Sequence, residues 1–138
     1  MARATFRHGL RARFYEADPA GVLFYGRLFE LFHEAYAALL EAAGVEYTAY
    51  FGLEEFAAPV VHAEADYRAP IRPGDDLSLE VTVTRLGRTS ITVAYAVHGG
   101  GGELKATGTE THVIVDRGGF KSMPLPSWLR EALEPYLA

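Results

Sequence analysis

From Leu28 the apolar residues recur at Leu28, Leu31, Phe32, Ala35, Tyr36, Leu39, Leu40 and Ala43, the i, i+3, i+4, i+7 spacing that lines one face of a helix. Glu30, Glu34 and Glu41 fall on the other side, and Gly44 stands where a residue of positive φ ends a helix. The spacing predicts about four turns. Downstream, past a short aromatic stretch at 47–51, the period changes to two. It is clearest where Leu77, Leu79, Val81 and Val83 alternate with Ser78, Glu80, Thr82 and Thr84. Strands are predicted at 57–67, 76–86, 90–98 and 103–116, separated by turn chemistry at Arg72-Pro73-Gly74-Asp75, Leu86-Gly87-Arg88, Gly99–Gly102 and Arg117-Gly118-Gly119. A looser alternation of aromatic and basic residues at 6–15 predicts a first strand, followed by a loop from Glu16 that Pro19 and Gly21 keep irregular. Pro126 and Ser127 open a short last helix, with Ser127 as its expected cap.

One strand, one long amphipathic helix and four further strands make an α+β layer arrangement in which the sheet wraps the helix. A sheet covered on one face by one helix leaves edges and an outer face open, so pairing with a second copy is expected.

Composition narrows this picture. The chain has 138 residues, 49% of them hydrophobic, which suits one core and therefore one domain spanning 1–138. The net charge is −5 and the basic residues are scattered, so there is no basic patch of the kind nucleic acid needs. No apolar run reaches membrane-spanning length and the start lacks the apolar segment of a secretory signal, so the expectation is a soluble cytoplasmic protein with no membrane partner. The absence of cysteine excludes disulfides, a thiolate zinc site and a cysteine nucleophile. Asn and Gln are absent too; loss of these labile amides points to a thermophilic source, and GC-rich coding explains it equally well.

The stretch richest in chemistry runs from Arg13 to Tyr25. It sets Asp18 in a tight Pro/Gly loop beside the apolar, aromatic residues Val22, Leu23, Phe24 and Tyr25. A carboxylate there can activate water or attack a carbonyl directly, and free N–H groups at the following helix start can hold a developing oxyanion. The bland alternative, favoured on local chemistry alone, is that Asp18 only builds an Asx-type turn with the residues after it.

Asp18-Pro19-Ala20-Gly21-Val22-Leu23-Phe24-Tyr25 resembles the signature of the hotdog-fold acyl-CoA thioesterases similar to 4-hydroxybenzoyl-CoA thioesterase. The resemblance continues through Tyr67-Arg68-Ala69-Pro70-Ile71-Arg72-Pro73-Gly74-Asp75, Leu86-Gly87-Arg88-Thr89-Ser90 and Pro124-Leu125-Pro126-Ser127-Trp128-Leu129, covering nearly the whole chain. It implies a hotdog fold, hydrolysis of an acyl-coenzyme A without metal or other cofactor, and a homodimer or homotetramer. It also implies Asp18 as nucleophile or general base and the backbone N–H of Tyr25 as oxyanion donor. Gly21, His33 and Arg88 match positions that meet substrate, Arg88 through a coenzyme A phosphate. An exposed hairpin arginine is the simpler reading of Arg88. The chain departs from its relatives at Arg27-Leu28, where Asn-Tyr is common, and at Tyr25, where many have His. It departs again at His33, which stands where the 4-hydroxybenzoyl enzyme has the acidic residue that binds the phenol.

The remaining candidates reduce to structure. His33 and Glu34 are adjacent on a helix and point apart, so Glu34 reads as a solvated face. His62, His98 and His112 fall on separate strands without metal-ligand spacing. Two other functions stay open: a non-catalytic module that binds acyl-CoA or a small aromatic ligand, and a hotdog dehydratase or hydratase. The latter pairs a His with an acid, and no His accompanies Asp18 in its loop.

Overall fold

The computed structural model describes residues 5–51 and 56–138. Helix α1 (Arg27–Ala42) buries the face read from its spacing, with Leu28, Phe32, Ala35, Tyr36 and Leu39 at 0% exposure, and Gly44 follows with φ 84°. It packs across one five-stranded antiparallel sheet made of β1 (Phe6–Arg11), β2 (Val60–Tyr67), β3 (Asp76–Leu86), β4 (Ser90–His98) and β5 (Leu104–Val113), in the order β1-β3-β4-β5-β2. The inner face carries Leu77, Leu79, Val81 and Val83 from β3 and Ile91, Val93, Tyr95 and Val97 from β4, all buried. Each such side chain contributes about 1.5–3 kcal/mol on leaving water, which explains why period two dominates these two central strands.

Several boundaries move from where the sequence placed them. Strand β1 ends at Arg11 instead of Tyr15. The Ala12 N–H donates to the Asp75 carbonyl at 2.9 Å, and Phe14–Glu16 then form a 3-10 turn that carries the chain off the sheet. Strand β2 starts at Val60, because Pro59 has no N–H to offer and Ala57 makes only an isolated bridge to Val115. The aromatic stretch is a short helix, α2 (Tyr47–Phe51). Helix α3 (Ser127–Leu133) has Pro126 at its N-cap, so Ser127 is its first helical residue and makes no side-chain cap. The fixed φ of Pro126 sets the helix start without a hydroxyl.

The strand order places β2 at an edge, beyond β5. One side of it pairs with β5 over Val60–Tyr67, and the other side pairs with no strand among the described residues. Exposure along it is high on both faces, with Val61 at 61% and Tyr67 at 48%.

Candidate active site

The loop after β1 is built by backbone bonds that leave little freedom. Buried Glu16 accepts the Arg13 N–H on its carboxylate at 2.8 Å, and its carbonyl accepts the Phe24 N–H at 2.8 Å. Asp18 N–H donates to Val22 O at 2.8 Å, Gly21 N–H to Asp18 O at 2.9 Å, and Leu23 N–H to Ile71 O at 2.7 Å. Gly21 has φ 82°, a conformation that a side chain would strain. The loop is thus a small closed turn pinned through Leu23 to the β2–β3 connection.

Asp18 is half-buried at its tip. Its Oδ1 accepts the Ala20 N–H at 2.8 Å, so the Asx turn exists, and it fixes the carboxylate plane. Oδ2 takes part in no hydrogen bond recorded among the described residues. The turn therefore anchors one carboxylate oxygen and leaves the other unengaged among the described residues.

Around it opens a cleft of about 590 Å³ whose walls include Tyr15, Asp18, Phe24, Gly26, Arg27 and Glu30. Arg27 Nη1 donates to both carboxylate oxygens of Glu30, at 2.9 and 3.0 Å, and the guanidinium lies 6.0 Å from the Tyr15 ring centroid. Tyr15 and Phe24 are largely exposed, and the Phe24 and Tyr25 rings are 4.8 Å apart. The backbone N–H groups of Tyr25 and Gly26, just before α1, have no acceptor in the recorded hydrogen bonds of the described residues. Arg27 and Leu28 N–H groups turn back to Phe24 and Tyr25 carbonyls. Free N–H groups at a helix start can stabilise a developing oxyanion, and Gly26 lines the same cleft as the Asp18 carboxylate. A second cleft of about 300 Å³ is lined by Val22, Leu23, Tyr67, Arg68, Pro70 and Ile71.

Other residues picked out in the sequence lie elsewhere. His33 is exposed on α1 and does not line the Asp18 cleft. Arg88 is exposed in the β3–β4 turn, whereas the Asp18 loop adjoins the Asp76 end of β3. Ten residue steps of strand separate the two ends, about 33 Å, so Arg88 cannot meet the Asp18 of its own chain. Glu34 pairs with His8 at 2.7 Å, away from the loop. No cluster of three or more metal-ligand side chains occurs among the described residues.

Local pattern does not show the polar group under α1. Glu110 and His112, at core-facing positions of β5, are buried, with Tyr95 donating its hydroxyl to Glu110 at 3.0 Å and Tyr36 donating to the Tyr50 hydroxyl at 2.9 Å. Burial pushes the Glu110 carboxyl up, against the Tyr95 hydrogen bond, and pushes His112 down to about 4, so the imidazole is neutral at pH 7. The Tyr36 ring stacks on His112 at 4.6 Å, which makes these groups part of the helix seat.

Residues 12–133 match the thioesterase-like superfamily. The chain belongs to this family. It has the α+β hotdog fold and is a thioester hydrolase. It is 34% identical over 123 residues to a 1,4-dihydroxy-2-naphthoyl-CoA hydrolase of Synechococcus elongatus, covering 88% of this chain and 90% of that one. It is 30% identical to a hydrolase of the same name from Crocosphaera subtropica, covering 85% and 90%. The crystal structure of a 1,4-dihydroxy-2-naphthoyl-CoA thioesterase from Synechocystis superposes with a TM-score of 0.88 at 27% identity, covering 94% and 96%. Gly26, just before α1, carries no signal of its own in the sequence beyond adjacency to the loop motif, and Arg27 is marked there only as a departure from its relatives.

Proposed function

We propose that this protein hydrolyses an aromatic acyl-coenzyme A, with 1,4-dihydroxy-2-naphthoyl-CoA as the leading substrate. Asp18 is the catalytic carboxylate, and the N–H of Tyr25, joined by that of Gly26, is the oxyanion donor. The observation that carries this reading is the half-buried Asp18 with one anchored and one unengaged oxygen, in a cleft walled by Tyr15 and Phe24. Flat aromatic walls suit a flat acyl group, and relatives 34% and 30% identical are named for such a substrate.

Two routes use the same geometry. In one, Asp18 Oδ2 bonds to the thioester carbon, coenzyme A leaves as thiolate, and water cleaves the mixed anhydride to acid and free Asp18. In the other, Oδ2 takes a proton from water as the water oxygen bonds to that carbon, and the thiolate leaves with the proton. Both develop negative charge on the carbonyl oxygen, where the helix-start N–H groups stabilise it. Thiolate is a good leaving group, so no strong acid is required near the sulfur.

The working unit is a homodimer of one-domain protomers paired along β2, in the cytoplasm where coenzyme A esters are used. An eight-residue edge with Val60, Val61 and Tyr67 exposed is a template for a second strand. Dimerisation also gives Arg88 a site to serve, that of the partner, since its own lies the length of β3 away.

Thiol release from a panel of aromatic, short-chain and long-chain acyl-CoAs, measured for the wild type and Asp18→Asn, tests this. The expected result is preference for the aromatic members and a loss of at least about 100-fold in the variant. Full hydrolysis by Asp18→Asn would remove Asp18 from the chemistry. Tight binding of intact acyl-CoA with no thiol released would leave a binding module in place of an enzyme.

A further inference from the structure

Tyr67, the last residue of edge strand β2, donates its hydroxyl to the carbonyl oxygen of Tyr25, 42 residues earlier in the chain. That oxygen belongs to the Tyr25–Gly26 peptide, whose other end is the N–H of Gly26, a residue that lines the Asp18 cleft. Its competing backbone donor, Leu28 N–H, stands at 3.4 Å, so the phenol is the close partner. The turn is otherwise held from the far side: Leu23 N–H on Ile71 O and Phe24 N–H on Glu16 O secure the chain up to Phe24, and α1 secures it from Arg27. On the peptide between them the Tyr67 hydroxyl is the close partner and the Leu28 N–H a long one. Partial burial, reinforced by Tyr25, raises the Tyr67 phenol, which keeps it a donor through the neutral and mildly alkaline range.

We propose that Tyr67 is a positioning residue for thioester hydrolysis, its hydroxyl fixing the Tyr25–Gly26 peptide so that the adjacent N–H groups meet the oxyanion. This rests on the reading of Asp18 and the helix-start N–H groups given above. Two physical effects act together. A hydrogen bond on a peptide oxygen fixes the rotation of that peptide, and oxyanion stabilisation falls steeply when donors shift by fractions of an ångström. The same bond polarises the amide, which strengthens donation from the Gly26 N–H at its other end. Because β2 is the free edge, the catalytic turn is tied through Tyr67 to the strand on which the proposed partner would pair.

The test is steady-state hydrolysis of the panel's best acyl-CoA by wild type, Tyr67→Phe and Asp18→Asn, with melting temperatures from the same preparations. Phenylalanine keeps the ring and every backbone bond of the loop. The expected result is a kcat about tenfold lower in Tyr67→Phe, the size of one hydrogen bond, with KM and melting temperature unchanged and Asp18→Asn nearly inactive. Wild-type kcat in Tyr67→Phe beside an inactive Asp18→Asn overturns the positioning role and leaves the site reading intact. A raised KM with unchanged kcat, or a kcat loss that tracks a lowered melting temperature, also overturns it, since Tyr67 would then be a substrate contact or a strut. An active Asp18→Asn, or a wild type that hydrolyses no member, overturns the site reading and the positioning role with it.

Discussion

Gly108 on β5 lets Phe32 of α1 approach the sheet closely, and Gly108→Ala measures how tightly α1 is seated. A Cβ built there falls 2.4 and 2.7 Å from two ring carbons of Phe32 and 2.7 Å from the Glu64 carbonyl oxygen on β2. The ring has no free direction. It is at 0% exposure, stacked on Tyr95 at 4.3 Å with 2° between planes, and edge-on to Phe29 at 5.7 Å. Overpacking of this kind costs about 1–3 kcal/mol, and two blocked sides place it at the upper end. Replacing a strand glycine returns about 0.5–1 kcal/mol of backbone entropy, leaving a net loss of about 2 kcal/mol. With about 2.1 cal/mol/K of unfolding entropy per residue over 138 residues, Tm should fall by about 7 °C. Differential scanning calorimetry of the two proteins at one pH and concentration provides the measurement. A variant melting within 2 °C of wild type would mean that Phe32 or β2 yields cheaply, and that the helix bearing the helix-start N–H groups is not rigidly seated.

The buried carboxyl gives a pH prediction. Glu110 titrates above its usual 4.5 in the folded chain, so its favourable contribution is complete below 4.5 and is lost as pH rises through the raised value. Glu110→Gln keeps an oxygen for the Tyr95 hydroxyl and should therefore melt higher than wild type at pH 8 and level with it at pH 4. A lower Tm at pH 8 would show that the carboxylate is welcome where it lies. At the sheet edge, Val61→Arg places charge on the exposed face of β2 and should convert the proposed dimer to monomer in sedimentation, with most hydrolysis lost. A variant still dimeric would move the interface away from β2, and fully active monomers would exclude a site shared between protomers.

Periodicity alone determined α1 and the two central strands, because a helix and a sheet that bury one face each write that face into the sequence at fixed spacing. Leu28 to Leu40 and Leu77 to Val83 are legible for that reason, as is Gly44, whose positive φ is a local requirement. The Pro and Gly of the loop likewise fix a tight turn between strand and helix, whereas Asp18 and Tyr25 are marked as site residues only through the resemblance to the thioesterases. Other features depend on contacts between residues far apart in the chain, which no window of sequence contains. Placing β2 beyond β5 is one, and it alone makes β2 an edge. The bond from Tyr67 to Tyr25 is another, as is the burial of Glu110 and His112 on a strand that otherwise reads as polar alternation. Arg88 shows the converse: the motif marked it, and only the length of β3 shows that it lies out of reach of its own Asp18. Local propensity fixes what each segment becomes, whereas the closing of the sheet decides which segments meet.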